Sequence, residues 1–429
     1  MDPRHLRGRL AAALIAVALL AAACGTSSAT PSPSAEPSSS PPSAAPSAAP
    51  TTTPDPATVY AEIEAQVQQL RELKAKTPVE PILLDDPTLK KNMSAAFTKE
   101  NPPELIAAQQ RLFELMGLVP SGTSLADLYV KLLGSQVAGY YDPEAKELFV
   151  VSKTGGLGPL EKFIFSHEFD HALQDQNFGL KNLALESVGQ GDAALAHLAV
   201  AEGDATLIMT LWAQMYLSPS DMAGLLKASS DPEQQKILDE MPDILKDTLL
   251  FPYLTGVQMI LRARTAGGWP AVDALYSKPP ASTEQVLHAD KLAAGEAPIA
   301  VTFPKDLATR LGGGWSVDME DTLGEFQLGV WLKSAGKVAQ ADALAAAQGW
   351  GGDRVALVTN GDRTGVVIDT RWDSPAEATE FAAAAQSTLA KIGGNHALIA
   401  IDGTDRVTLF IATDDPTISA LAGALGLAG

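Results

Sequence analysis

Pro159-Leu160-Glu161-Lys162-Phe163-Ile164-Phe165-Ser166-His167-Glu168-Phe169-Asp170-His171 is the stretch from which both the fold and the chemistry of this chain are read. Gly155, Gly156 and Gly158 break the chain before it, and Pro159 suits a first helical turn. Leu160, Phe163, Ile164, His167 and His171 then fall on one helical face. His167 and His171 are about one turn apart, so two imidazoles can meet a single ion. Glu168 lies about 100° around the helix from His167. His-Glu-x-x-His on a helix has the form of two zinc ligands and a general base. Zinc lowers the pKa of a bound water toward about 7. Glu168 is placed to take that water's proton as it attacks a carbonyl, and to pass it to the leaving amine. The chain has only six histidines, so a chance match is rare. The plain alternative is a pair of core histidines satisfied by hydrogen bonds.

A catalytic zinc takes a third protein ligand and keeps one position open. The single cysteine, Cys24, lies far upstream, so that ligand is His, Asp or Glu. Glu202 is a lone acid in the apolar helical stretch around Ala199-Val200-Ala201-Glu202-Gly203. Burying a carboxylate is costly unless it is paired or metal-bound. His197 is the alternative ligand. Asp204 falls about 200° around an ideal helix from Glu202, which sets it against a place behind a zinc histidine; its plain reading is helix solvation. Asp170, about 60° from His167, reads as facing solvent, with a place behind a metal ligand as the alternative.

Two helical histidines, the intervening Glu168 and a downstream helical Glu202 together resemble the gluzincin metallopeptidases. The resemblance implies a mainly helical zincin-like domain, Zn2+ as cofactor, Glu202 as third ligand and peptide-bond hydrolysis. Further stretches are similar to a group of exported bacterial metallopeptidases. They are Val137–Asp142, His167–Gln176, Glu202–Thr206, Pro280–His288, Gly349–Arg354 and Thr370–Asp373. Asp170 departs from that group, where threonine is expected. Such enzymes place a distant His or Tyr to donate to the oxyanion. His288, ending Ser282-Thr283-Glu284-Gln285-Val286-Leu287-His288, is the first candidate, and Tyr140 and Tyr141 are the others. The plain reading of His288 is a helix C-terminal residue meeting the macrodipole. His396 reads as structural. In the family a strand beside the metal helix pairs with extended substrate. Glu147–Val151 is either that strand or an internal strand of a sheet.

The 429 residues and 46% hydrophobic content allow two compact domains. A formal charge of −20 argues against nucleic acid as a partner. Arg4, Arg7 and Arg9 precede an apolar run, Leu10–Ala23, too short to span a bilayer comfortably. Ala21-Ala22-Ala23-Cys24 resembles a bacterial lipobox, which implies cleavage before Cys24 and lipid attachment there. Ala21 departs from the larger aliphatic of that pattern. The expected organisation is a signal peptide over 1–23 and a disordered Ser/Pro/Ala tether over 24–58. A metallopeptidase domain follows over 59–335, then a small unit of ββαββα order over 336–429. Strands are predicted at Val137–Tyr141 and Glu147–Val151 as a hairpin, and helices from Pro159 and from Asp192. The fold class is α+β.

These readings together predict an extracytoplasmic peptidase, lipid-anchored to the cell membrane, with a peptide or protein as substrate. A non-catalytic zinc-containing surface lipoprotein is the alternative, and a zinc hydrolase of another bond is a third.

Overall fold

Proline and glycine punctuation sets the central helix. Pro159–Phe178 starts after Gly158 with proline in its first turn and ends at Gly179, whose φ is 75°. Every side chain from Phe163 to Asp175 is buried. The helix has no solvent face, so its apolar residues wind around it instead of forming a stripe. A computed structural model of the chain describes residues 14–17, 55–152, 157–185, 189–400 and 403–427. The fold is α+β, with sixteen α-helices and two sheets among the described residues. Cys24 and most of the expected tether lie outside them.

Three helices and a sheet enclose the central helix. Pro56–Arg71 lies against it, with Tyr60, Ile63 and Val67 facing inward. Gly191–Tyr216 is long and apolar enough to cross a membrane, but 67% of its apolar window is buried inside the fold, as suits a core helix. It packs along Asp243–Ser277 at a glycine contact. A Cβ on Gly203 would lie 2.4 Å from the Gly256 carbonyl carbon, and one on Gly256 would lie 2.5 Å from the Ala199 oxygen. Backbones meet there because neither residue has a side chain.

The first sheet has strands β1 (Leu14–Val17), β2 (Pro81–Leu84), β3 (Val137–Asp142) and β4 (Glu147–Val151), in the order β1-β3-β4-β2. The predicted hairpin is present, with Tyr140 opposite Phe149. Asp142 shapes its turn by accepting from the Glu144 and Ala145 amides at 2.7 and 3.0 Å. β4 is hydrogen-bonded to β3 on one side and β2 on the other, which makes it the internal strand of the two readings. β1 falls within the apolar run expected as an export signal and pairs antiparallel with β3.

The second sheet is antiparallel, with β5 (Ser316–Asp321), β6 (Trp350–Asn360), β7 (Arg363–Trp372), β8 (Asn395–Ala400) and β9 (Arg406–Ala412) in the order β5-β6-β7-β9-β8. Alternate residues serve two cores. Val355, Leu357, Val366, Ile368, Leu409 and Ile411 face one that also holds Trp331, Phe381 and the N-terminal residues Ile106 and Leu112. Ala356, Val358, Val367 and Phe410 face the other. The predicted ββαββα order is present with a strand added at its front, so this sheet starts before residue 336. Ser-Val-Asp-Met-Glu-Asp lacks a strand's usual composition, and β5 tolerates that as an edge strand. Its core also includes residues from helices near the N-terminus, so the sheet is not packed as a self-contained tail.

Gly203→Ala is expected to lower stability by about 1–3 kcal/mol through overpacking. Urea unfolding would show this as a lower midpoint with an unchanged slope. An unchanged midpoint would contradict backbone contact between the two helices.

Candidate metal centre

One turn of helix brings His167 and His171 together, with ring centroids 4.6 Å apart and planes at 87°. The Gly191–Tyr216 helix crosses above them and supplies Glu202. Glu202 Oε2 lies 3.2 Å from His167 Nε2 and 3.4 Å from His171 Nε2, and the two Nε2 atoms are 3.0 Å apart. Donors about 2.0–2.1 Å from a tetrahedral zinc sit about 3.3–3.4 Å from one another. The triangle therefore has the dimensions of one face of a zinc site, and its donor types are those zinc takes. All three residues are buried. His197, the alternative ligand, is elsewhere, with its Nδ1 facing the Leu183 carbonyl.

The centre favours positive charge. Burial opposes the Glu202 carboxylate, but the charge on His171 and hydrogen bonds from both histidines outweigh it and hold its pKa at about 2. Burial likewise opposes a charged His171, yet Glu202 and Glu168 raise it to about 9. His167 is pushed down, mainly by burial. A cation at the centre of this triangle meets an ionised carboxylate with a second carboxylate, Glu168, close by.

β3 brings Glu168 under its cover. A Cβ on Gly139 would sit 3.4 Å from Glu168 Cγ and 2.7 Å from Ile164 Cγ2, so only glycine lets the strand pass this close. The phenol at the centre is Tyr253, from the Asp243–Ser277 helix. Its ring stacks on His167 at 6.3 Å. Burial, then the charges of Glu202 and Glu168, raise its pKa well above the ordinary tyrosine value, and its hydroxyl bonds to Glu202.

The residues expected to donate to an oxyanion are placed otherwise. His288 Nε2 is 2.8 Å from Glu325 Oε1, at the start of a different network. Tyr140 points to the far face of the hairpin, among Leu89, Met93, Val137 and Val151. The strand alternation that turns Gly139 toward Glu168 turns Tyr140 away. Tyr141 shares the inner face but donates to Asp175 at 2.9 Å. Tyr253 carries no sequence signal of its own, being one residue of a long apolar helix.

Two acids read as solvent-facing are fully buried, because their helices have no exposed side there. Asp204 accepts from Arg71 Nε with both oxygens at 3.0 Å and from the Tyr276 hydroxyl at 2.8 Å. Arg71 also donates to Asp273 at 2.7 Å and lies 4.4 Å from the Trp269 ring centroid. Asp170 accepts from Gln174 Nε2 at 2.7 Å. Burial and the neighbouring Asp204 raise Asp170 to about 7 despite Arg71.

The remaining singled-out motifs meet at a second place. Asp192 accepts from the Thr283 amide at 3.1 Å, and Asp353 from the amides of Leu323 and Gly324 at 2.9 and 2.8 Å and from Trp350 Nε1 at 2.9 Å. This hub joins the start of the Gly191–Tyr216 helix to the second sheet. Glu284, Glu296 and Asp373 gather around the Lys291 ammonium, which already supplies their counter-charge.

A family model described as a domain of unknown function, DUF8575, matches residues 310–421. That span holds all five strands of the second sheet and none of His167, His171 and Glu202. No curated protein and no solved structure matches the chain.

Arg71→Met is expected to cost about 3–5 kcal/mol, because it leaves the buried Asp204 without its counter-charge. Denaturant unfolding measures this. A loss under about 1 kcal/mol would show that the ion pair is not buried as described.

Proposed function

We propose that the chain is a membrane-anchored, extracytoplasmic zinc metallopeptidase that hydrolyses peptide bonds. The observation that carries this reading is Glu168 standing beside a buried triangle of two imidazoles and a carboxylate. A purely structural site has no use for a base there. Zinc, when bound, supplies Lewis acidity and an acidified water. His167, His171 and Glu202 would hold it. Glu168 accepts the proton of the attacking water and delivers it to the leaving amine. Tyr253, in place of His288, would turn its hydroxyl from Glu202 to donate to the developing oxyanion. The lipid on Cys24 and the location remain as read from the leader sequence.

The burial of the centre bears on this reading. His167, Glu168 and His171 are 0% exposed and Glu202 is 1% exposed. A peptide reaches them only if a covering segment moves. The helix that carries Tyr253 is interrupted by Pro252 and by non-helical Gly267 and Gly268, which makes it the covering element best suited to bend. The same burial favours a second reading, a non-catalytic surface lipoprotein with a structural zinc.

Zinc content and casein hydrolysis of the full chain, Glu168→Gln and Tyr253→Phe separate the two. One zinc in each protein is expected, with activity lowered about 10²–10⁴-fold in Glu168→Gln and about 10²–10³-fold in Tyr253→Phe. Zinc bound by a wild type that cleaves no peptide would favour the structural metal, and a wild type that binds no zinc would end both readings.

A further inference from the structure

Gln174 lies one turn beyond Asp170 and three residues beyond His171 on the central helix, and it is fully buried. Its amide makes three hydrogen bonds. Nε2 donates to Asp170 Oδ2 at 2.7 Å and to the Ala201 carbonyl at 3.1 Å, and Oε1 faces His171 Nδ1 at 3.0 Å. The Ala201 carbonyl can only accept, so the atom facing it and Asp170 is the amide nitrogen and the amide cannot be flipped. Its oxygen then accepts the proton of His171 Nδ1. The proton on Nδ1 leaves the Nε2 lone pair of neutral His171 directed at Glu202 and His167. Asp170 is held beside Asp204, which Arg71 grips with two hydrogen bonds. The orientation of His171 thus runs back through the Gln174 amide to Asp170, whose charge is felt by Asp204 and Arg71.

We propose that Gln174 is the positioning residue of the metal centre. It fixes the tautomer and ring plane of His171 through its amide oxygen, and Asp170 sets the amide's direction. This rests on the zinc reading of His167, His171 and Glu202. Residues behind a ligand commonly govern metal affinity in this way, and their loss weakens binding about 10–100-fold. Ala201 adjoins Glu202, so the same amide also ties the central helix to the backbone beside the third ligand. A neutral amide in this place needs an acceptor on its nitrogen side, and Asp170 is that acceptor.

The test compares the full chain, Gln174→Leu and the double variant Asp170→Asn/Gln174→Glu. Zinc affinity is measured by chelator competition, and thermal unfolding is followed with and without zinc. The double variant exchanges donor and acceptor: the amide at 170 donates to the hydroxyl oxygen of a neutral carboxyl at 174, whose proton goes to the Ala201 carbonyl and whose other oxygen accepts from His171. Gln174→Leu is expected to bind zinc about 10–100-fold more weakly, and the double variant to recover the loss. A core-filling role would lower the stability of both forms equally and leave zinc affinity unchanged, which would overturn the proposal. So would a folded double variant as weak as Gln174→Leu. If Gln174→Leu does not fold, nitrogen-15 shifts of His171 in the zinc-loaded wild type decide, with a proton on Nδ1 expected and metal on Nδ1 contradicting it. A wild type that binds no zinc would overturn the zinc reading and this inference with it. Normal binding by the wild type and Gln174→Leu alike would overturn this inference alone.

Discussion

Burying ionisable side chains on one helix is the constraint from which the rest of the structure follows. Each ion removed from water costs several kcal/mol unless a partner meets it. The Pro159–Phe178 helix buries His167, Glu168, Asp170, His171 and Asp175 within three turns. Glu202 meets the histidines, Gln174 meets Asp170, and Tyr141 and Lys146 meet Asp175. Arg71 reaches in from the Pro56–Arg71 helix to meet Asp204. The apolar Gly191–Tyr216 helix carries both Glu202 and Asp204, and its close contact with Asp243–Ser277 puts Tyr253 against His167. So dense a set of buried polar groups is characteristic of a functional centre, where perturbed pKa values gather.

Much of this was legible in the sequence. Four-residue spacing identified the helical histidines, and the lone acid in an apolar run identified Glu202. The hairpin followed from two β-type runs about Asp142-Pro143-Glu144, and alternation showed most of the second sheet. What escaped has physical reasons. Periodicity assigns an acid to the outside of a helix, but it cannot report a helix with no outside, so Asp170 and Asp204 were misplaced. Arg71, Tyr253 and His288 depend on contacts between distant segments, which no local pattern encodes. The β5 strand was hidden by its acidic edge composition. The Asp86–Glu100 helix is readable from Leu89, Met93 and Phe97 at four-residue intervals.

The matched domain and the candidate metal centre are separate parts of one chain. Residues 310–421 hold the second sheet, whose three inner strands are buried on both faces, together with helices, and one of its cores reaches helices near the N-terminus. The Asp192–Thr283 and Asp353 hydrogen bonds tie that sheet to the start of the helix bearing Glu202. His288 belongs to this junction, where it bonds to Glu325.

X-ray absorption at the zinc edge of the loaded full chain tests the central claim most directly. Two imidazoles and a carboxylate require a four-coordinate shell of nitrogen and oxygen at about 2.0–2.1 Å, with imidazole scattering and no sulfur near about 2.3 Å. Such a spectrum, lost on His171→Ala, is the expected result. A six-coordinate oxygen shell without imidazole scattering would place any bound zinc elsewhere and contradict the assignment of His167, His171 and Glu202.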